Sequence, residues 1–178
     1  MPKPRHISPQ FLIDPEARRV AYHEAGHAVF CYLCRMRILN VTIVPDAKFL
    51  GRVCTDNWTS LVDEYNDGGL SRSNAEFLVM ALLAGCVAEA RFFRRPKARL
   101  SLAGGEQDFD LAVRIATGQC GDHDEASAYL KWLTCRAHNT LKIHWEMVDA
   151  VATHLLNQKL ISERTVRRIC RAIGPPAR

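Results

Sequence analysis

Most of the chain carries apolar residues at helical spacing, cut into segments by Asp, Ser, Gly and Pro. Asp14, Pro15 and Glu16 read as an N-cap, a proline at the first helical position and an acidic first turn, which opens a helix running to about Met36. The pattern then changes. "ILNVTIVP" (Ile38 to Pro45) and "FLGRVCT" (Phe49 to Thr55) are β-branched and aromatic runs separated by "DAK", which predicts an antiparallel hairpin and is the one clear β signal. Residues 56–70 read as a loop. Ser73 with Glu76 forms a capping box for a helix to about Phe93 that is apolar nearly all round. A loop with Pro96 and Gly104–Gly105 leads to a helix from about Gln107 to Thr117. Three further helices are predicted near Asp124 to Asn139, His144 to Asn157 and Ser162 to Ile173, the last stopped by "GPP". The expected fold is mainly α, with a small antiparallel β-hairpin or sheet packed near the first helix. It forms a single domain over residues 1–178, of which 1–13 are an extended arm.

Composition narrows the class. With 178 residues, 48% apolar and 24% charged, the chain is long enough for one real core. The longest uncharged run, Phe77 to Ala88, is too short to cross a bilayer, and the Pro- and His-containing N-terminus lacks the apolar stretch of a signal peptide. The expectation is a cytoplasmic protein with no membrane span. Seven cysteines, an odd number scattered through helical patterns, read as reduced and mostly buried thiols. The net charge of +5 gathers in "RFFRRPKAR" (Arg91 to Arg99) and "RTVRRICR" (Arg164 to Arg171). No nucleic-acid motif or aromatic platform accompanies them, so they read as solvated surface and predict no nucleic-acid partner.

Chemistry enters in "VAYHEAGHAVF" (Val20 to Phe30). His23 and His27 lie one turn apart on one helix face, where two imidazoles can aim at one tetrahedral metal, with Glu24 in reach of a water held there. Chance alone produces H-E-x-x-H in roughly one of a few hundred chains of this length. The bland alternative is a helix with two satisfied histidines. Cys31 and Cys34 share the face, but Cys31 lies about 6 Å along the axis from His27 and about 12 Å from His23, so they read as core packing.

A catalytic zinc site takes a third protein ligand. Asp108 shares a helix face with Leu111, Ala112 and Ile115 and points inward, whereas Asp110 lines up with Arg114 as a surface ion pair. An inward carboxylate needs a metal, a cation or backbone donors, and Asp108 could also simply cap its helix. Glu89 follows Leu78, Leu82 and Gly85 on the apolar helix and needs a partner for the same reason; the imidazole N–H of a metal-bound histidine is one candidate.

Five blocks in order, "AYHEAGHAV", "VTIVPDAKFLGRV", "SRSNAEFLVMALLAGCVAEARFF", "GGEQDFDLAVRIA" and "VATHLLNQKLISERTVRRI", resemble the peptidase domain of the FtsH family of ATP-dependent zinc metalloproteases over roughly residues 18–171. The resemblance implies a Zn2+ cofactor held by His23, His27 and Asp108, with Glu24 as the base. The family's "AEE" after the long helix is Ala88, Glu89 and Ala90 here, and its Ser/Thr-rich loop before the metal aspartate reads "LAGGEQ". The implied activity is hydrolysis of peptide bonds, with zinc polarising the scissile carbonyl and Glu24 moving a proton from water to the leaving amine. The hairpin edge offers an extended substrate a place to add as a strand, and His138, His144 and His154 are available to stabilise the oxyanion. The family's motor and membrane anchors lie upstream, and these residues contain no G-x-x-x-x-G-K-[ST]. Expected partners are therefore unfolded protein or peptide substrates, with a homo-oligomer or a separate motor protein as further partners, and ATP without effect on the chain alone. Two rival readings are an inactive metal-binding adaptor for a partner protein and a helical nucleic-acid binder.

Overall fold

The computed structural model describes residues 14–56, 63, 65–66, 68–94 and 105–174. The expected arm 1–13, much of the 56–70 loop, Arg95 to Arg99, Gly104 and the two prolines of "GPP" lie outside them. Among the described residues the elements are α1 (Pro15–Leu33), β1 (Ile38–Thr42), β2 (Arg52–Thr55), α2 (Arg72–Phe92), α3 (Glu106–Gly118), α4 (His123–Ile143), α5 (Trp145–Gln158), β3 (Leu160–Ser162) and α6 (Glu163–Ile173).

α1 begins as its sequence requires, with the Asp14 carboxylate accepting the Glu16 N–H at 3.1 Å. It stops at Leu33, short of Met36, because Arg35 turns into the left-handed region at φ 60° and the Met36 N–H returns to the Cys31 carbonyl. α2 is capped by Ser71, which accepts from the Asn74 N–H, and not by Ser73. Glu76 is drawn away from the expected capping box to Arg136 at 3.4 Å.

Every residue of α1 from Val20 to Cys31 is buried, and so is every residue of α2 from Leu78 to Ala90. The two helices pack closely because small residues line their crossing. A Cβ at Gly26 would stand 2.4 Å from the Ala84 carbonyl oxygen and 2.6 Å from the Ala88 Cβ, so nothing larger than glycine lets the backbones approach this closely. α5 packs on α1, while α3 and α4 pack on α2. The apolar faces that meet there include Leu83, Ile115, Leu133, Val148 and Leu155, all essentially without exposure.

The expected hairpin is present as β1 and β2, with Val41 opposite Val53. A third strand, β3, pairs antiparallel on the other side of β1, setting Ile161 opposite Val41 and giving the order β2-β1-β3. β3 follows directly on Lys159, whose φ of 64° ends α5. The inner face of the sheet, carried by Ile38, Val41 and Ile161, packs into the core, and β2 is left as an edge beside α1.

Candidate metal centre

Three helices meet at the His23 face of α1. The His23 and His27 Nε2 atoms stand 3.1 Å apart, and Asp108, in the first turn of α3, brings its Oδ2 to 3.4 Å from the first and 3.3 Å from the second. α2 passes beneath them at Gly85, where an added Cβ would lie 2.4 Å from the His27 Nε2 and 2.7 Å from the His23 Nε2. Only a residue without a side chain leaves room for two imidazoles that converge on one point.

The polar chemistry of this cluster fits a cation. His27 Nδ1 lies 2.8 Å from the Ala81 carbonyl oxygen, which can only accept, so Nδ1 carries the proton and Nε2 turns its lone pair toward His23 and Asp108. Two ring nitrogens and a carboxylate oxygen therefore crowd together with too few protons among them. Their mutual spacing matches one face of a tetrahedral zinc site, whose ligands stand about 3.3 Å apart when each bond is about 2.0–2.1 Å. Among the described residues, these three form the one group of His, Cys, Asp or Glu side chains whose ligand atoms all lie within 4.8 Å of one another.

Glu89 is buried in α2 with no exposure, and its Oε2 sits 3.7 Å from His23 Nδ1, an atom with no hydrogen-bond partner of its own. It faces the outer nitrogen of His23 while the inner one faces the centre. Glu89→Ala is expected to weaken zinc binding by about tenfold to a hundredfold without abolishing it, the usual cost of losing a group that orients a metal ligand. A zinc dissociation constant equal to the parent's would show that Glu89 serves the core alone.

Electrostatics follow the geometry. Burial works against charge on His23, but the Asp108 and Glu89 carboxylates beside its two ring nitrogens and the nearby Glu24 charge outweigh it and raise its pKa to about 9. Burial also opposes ionisation of Asp108, yet the charges and hydrogen bonds of His27 and His23 hold its carboxyl below the usual range. Glu24 is pushed upward, chiefly by burial and against the pull of both histidines. In the metal-free chain the His23 proton stabilises the fold fully below its ordinary value of 6.5, and that contribution is lost as pH rises through about 9. Zinc competes with the same proton. Its apparent affinity is therefore expected to climb by up to roughly tenfold per pH unit over that window, as competition titrations at several pH values would register; a pH-independent constant would refute it.

The cluster opens into a cleft of about 470 Å³, bounded on one side by Phe49, Leu50, Arg52 and Val53 and on the other by Glu106 and Gln107. Glu24 lines it beside the two histidines, and the Gly51 backbone closes over Glu24 so tightly that a Cβ there would lie 2.8 Å from its Oε1. His138, His144 and His154 are not among the residues that line the cleft; His154 turns its Nδ1 to the Ala150 carbonyl within its own helix. Among the described residues, the basic groups that line it are Arg19, Lys48 and Arg52, none of them marked by a sequence motif. Arg19 could have been found, since it precedes His23 by one turn on the same face.

Asp108 faces the histidines, with 31% of its side chain exposed, and no side-chain hydrogen bond caps α3. Asp110 and Arg114 are both exposed, but no ion pair joins them, in keeping with the small gain such pairs offer at a surface. All seven cysteines are free; Cys31, Cys86 and Cys170 are buried and Cys135 is exposed. Burial pushes the Cys31 thiol up to about 12, which keeps it neutral. Arg164, Arg168 and Arg171 lie on the exposed side of α6, and no helix among the described residues is long and apolar enough to cross a membrane.

Residues 10–123 match peptidase family M41. The chain is similar to the ATP-dependent zinc metalloprotease FtsH of Rickettsia bellii, 28% identical over 113 residues that make up 62% of this chain and 16% of the relative. It is also similar to the protein of that name from Rickettsia conorii, 34% identical over 107 residues, which are 59% of this chain and 15% of the relative. The match therefore spans less than a fifth of the length of these relatives.

Proposed function

The chain belongs to peptidase family M41, and from that premise we propose that it is a zinc-dependent metalloendopeptidase that hydrolyses peptide bonds in unfolded or flexible polypeptides. The observation that carries the reading is the convergence of two Nε2 atoms and one carboxylate oxygen at 3.1–3.4 Å, with a buried glutamate beside them in an open cleft. His23, His27 and Asp108 are the residues that would hold zinc. Zinc held there supplies a Lewis acid that polarises the scissile carbonyl and makes water acidic near neutral pH.

The chain's own groups do the rest. Glu24 takes a proton from the attacking water and returns it to the leaving amine, a task suited to a carboxyl whose pKa burial has raised. His27 is fixed by the Ala81 carbonyl and His23 is faced by Glu89, so neither ring is free to swing away. Among the described residues β2 is an edge strand of the sheet and lines the cleft, so an extended segment of substrate can add to it as a further strand. That geometry calls for several residues of unfolded chain, which is why the substrate class is flexible polypeptide. Lys48 and Arg52, and not His138, His144 or His154, line the cleft on the β2 side.

The test of the ligand set is Asp108→Ala. After dialysis against a weak chelator the parent is expected to keep about one zinc per chain and the variant to lose most of it, together with cleavage of casein. Full zinc occupancy in the variant would sink the assignment of Asp108 and move attention to Glu89. A parent that binds zinc yet leaves casein and short peptides intact would support the adaptor reading instead.

A further inference from the structure

Arg19 lies outside the metal ligands, but its surroundings are unusually specific. Glu16, one turn earlier and 54% exposed, grips it with both carboxylate oxygens, one on Nε at 2.9 Å and the other on Nη2 at 2.5 Å. The fork leaves Nη1 aimed inward, where it reaches Glu89 Oε2 at 3.3 Å. That same oxygen is the one nearest His23 Nδ1. Four side chains thus run in line from solvent to the candidate metal centre: Glu16, Arg19, Glu89 and His23.

We propose that Arg19 is a positioning residue for the metal centre, clamped by Glu16 so that it holds the buried Glu89 carboxylate against the outer nitrogen of His23. The physical need is plain. Glu89 has no exposure, and a carboxylate in that setting is costly unless charged hydrogen-bond donors meet it. Arginine suits the task better than lysine, because its planar fork can serve Glu16 and Glu89 at once in a fixed geometry. Without Arg19, the Glu89 oxygen that faces the imidazole loses the charged donor that meets it. His23 then keeps its place on α1 but loses the group that fixes its ring. The surface carboxylate of Glu16 acts at one remove, by choosing the direction of Nη1.

The inference rests on His23 being a metal ligand, and the experiment separates the two. Zinc dissociation constants are measured by chelator competition for the parent, Arg19→Met, Glu89→Gln and the double variant, alongside melting temperatures of the metal-free chains. Arg19→Met is expected to weaken zinc about tenfold in the parent, at the low end of the effect of groups that orient metal ligands, and by less than about twofold when Glu89 is already Gln. Arg19→Lys is expected to recover only part of the loss. Glu16→Ala, a surface change that the fold tolerates, is expected to weaken zinc by a few-fold and gives the readout should Arg19→Met not fold. Equal weakening by Arg19→Met in both backgrounds, or an unchanged zinc constant in both Arg19→Met and Glu16→Ala, would overturn the relay while leaving the metal centre standing. A parent that takes up no zinc would overturn the metal reading and the relay with it.

Discussion

Glu24→Gln is expected to lower peptide hydrolysis by about a hundredfold to ten-thousandfold while zinc stays bound at about one per chain. Gln has the shape of Glu and fits the space closed by the Gly51 backbone, where a Cβ would already stand 2.8 Å from Glu24 Oε1, so the fold has no reason to rearrange. It lacks the basic oxygen that takes and returns a proton. Neither imidazole is altered, and His27 keeps its hydrogen bond to the Ala81 carbonyl. The loss should fall on kcat with KM nearly unchanged, because the proton moves during the chemical step and not on binding. Removing the Glu24 charge also takes away one of the influences that raise the His23 pKa, so zinc should bind the variant no more weakly than the parent at neutral pH. A variant that cleaved casein at the parent's rate would remove Glu24 from the mechanism.

The parts of this fold that could be read from sequence are those whose cause is local. Asp14, Pro15 and Glu16 set the start of α1 whatever lies around them, and the spacing of His23 and His27 puts both rings on one face of any helix. The inward aim of Asp108 followed from Ala112 and Ile115 below it, both of which are fully buried. What sequence could not supply came from distant segments. β3 is three residues long and takes its strand character from pairing with β1 far back in the chain. Ser73 with Glu76 had the right letters for a cap, but Arg136 on α4 offered Glu76 a partner and Ser71 took the cap. Residue type alone suggests His138, His144 and His154 for the oxyanion, but packing sets which groups reach the cleft, and these three do not line it.

Gly85→Ala is expected to weaken zinc binding by at least about a hundredfold while leaving most of the helical fold intact. Nothing in the sequence marks this glycine as chemical, since it sits inside an apolar helix where Ala is the better helix former by about 1 kcal/mol. A new Cβ would stand 2.4 Å from His27 Nε2 and 2.7 Å from His23 Nε2, far inside contact distance. α2 has little room to retreat from α1, because α3 and α4 also pack against it. The rings must therefore turn aside. His27 would lose its bond to the Ala81 carbonyl and His23 its alignment with Glu89, at an overpacking cost of about 1–3 kcal/mol that the gain in helix propensity partly offsets. Stability thus changes little and the metal centre changes completely. Circular dichroism should show near-parental helix content for the metal-free variant, and chelator competition should show zinc affinity down by at least about a hundredfold, since two ligands are displaced together. Parental zinc affinity in Gly85→Ala would mean that the imidazoles do not converge above this glycine, and the geometry on which the peptidase reading stands would fall with it.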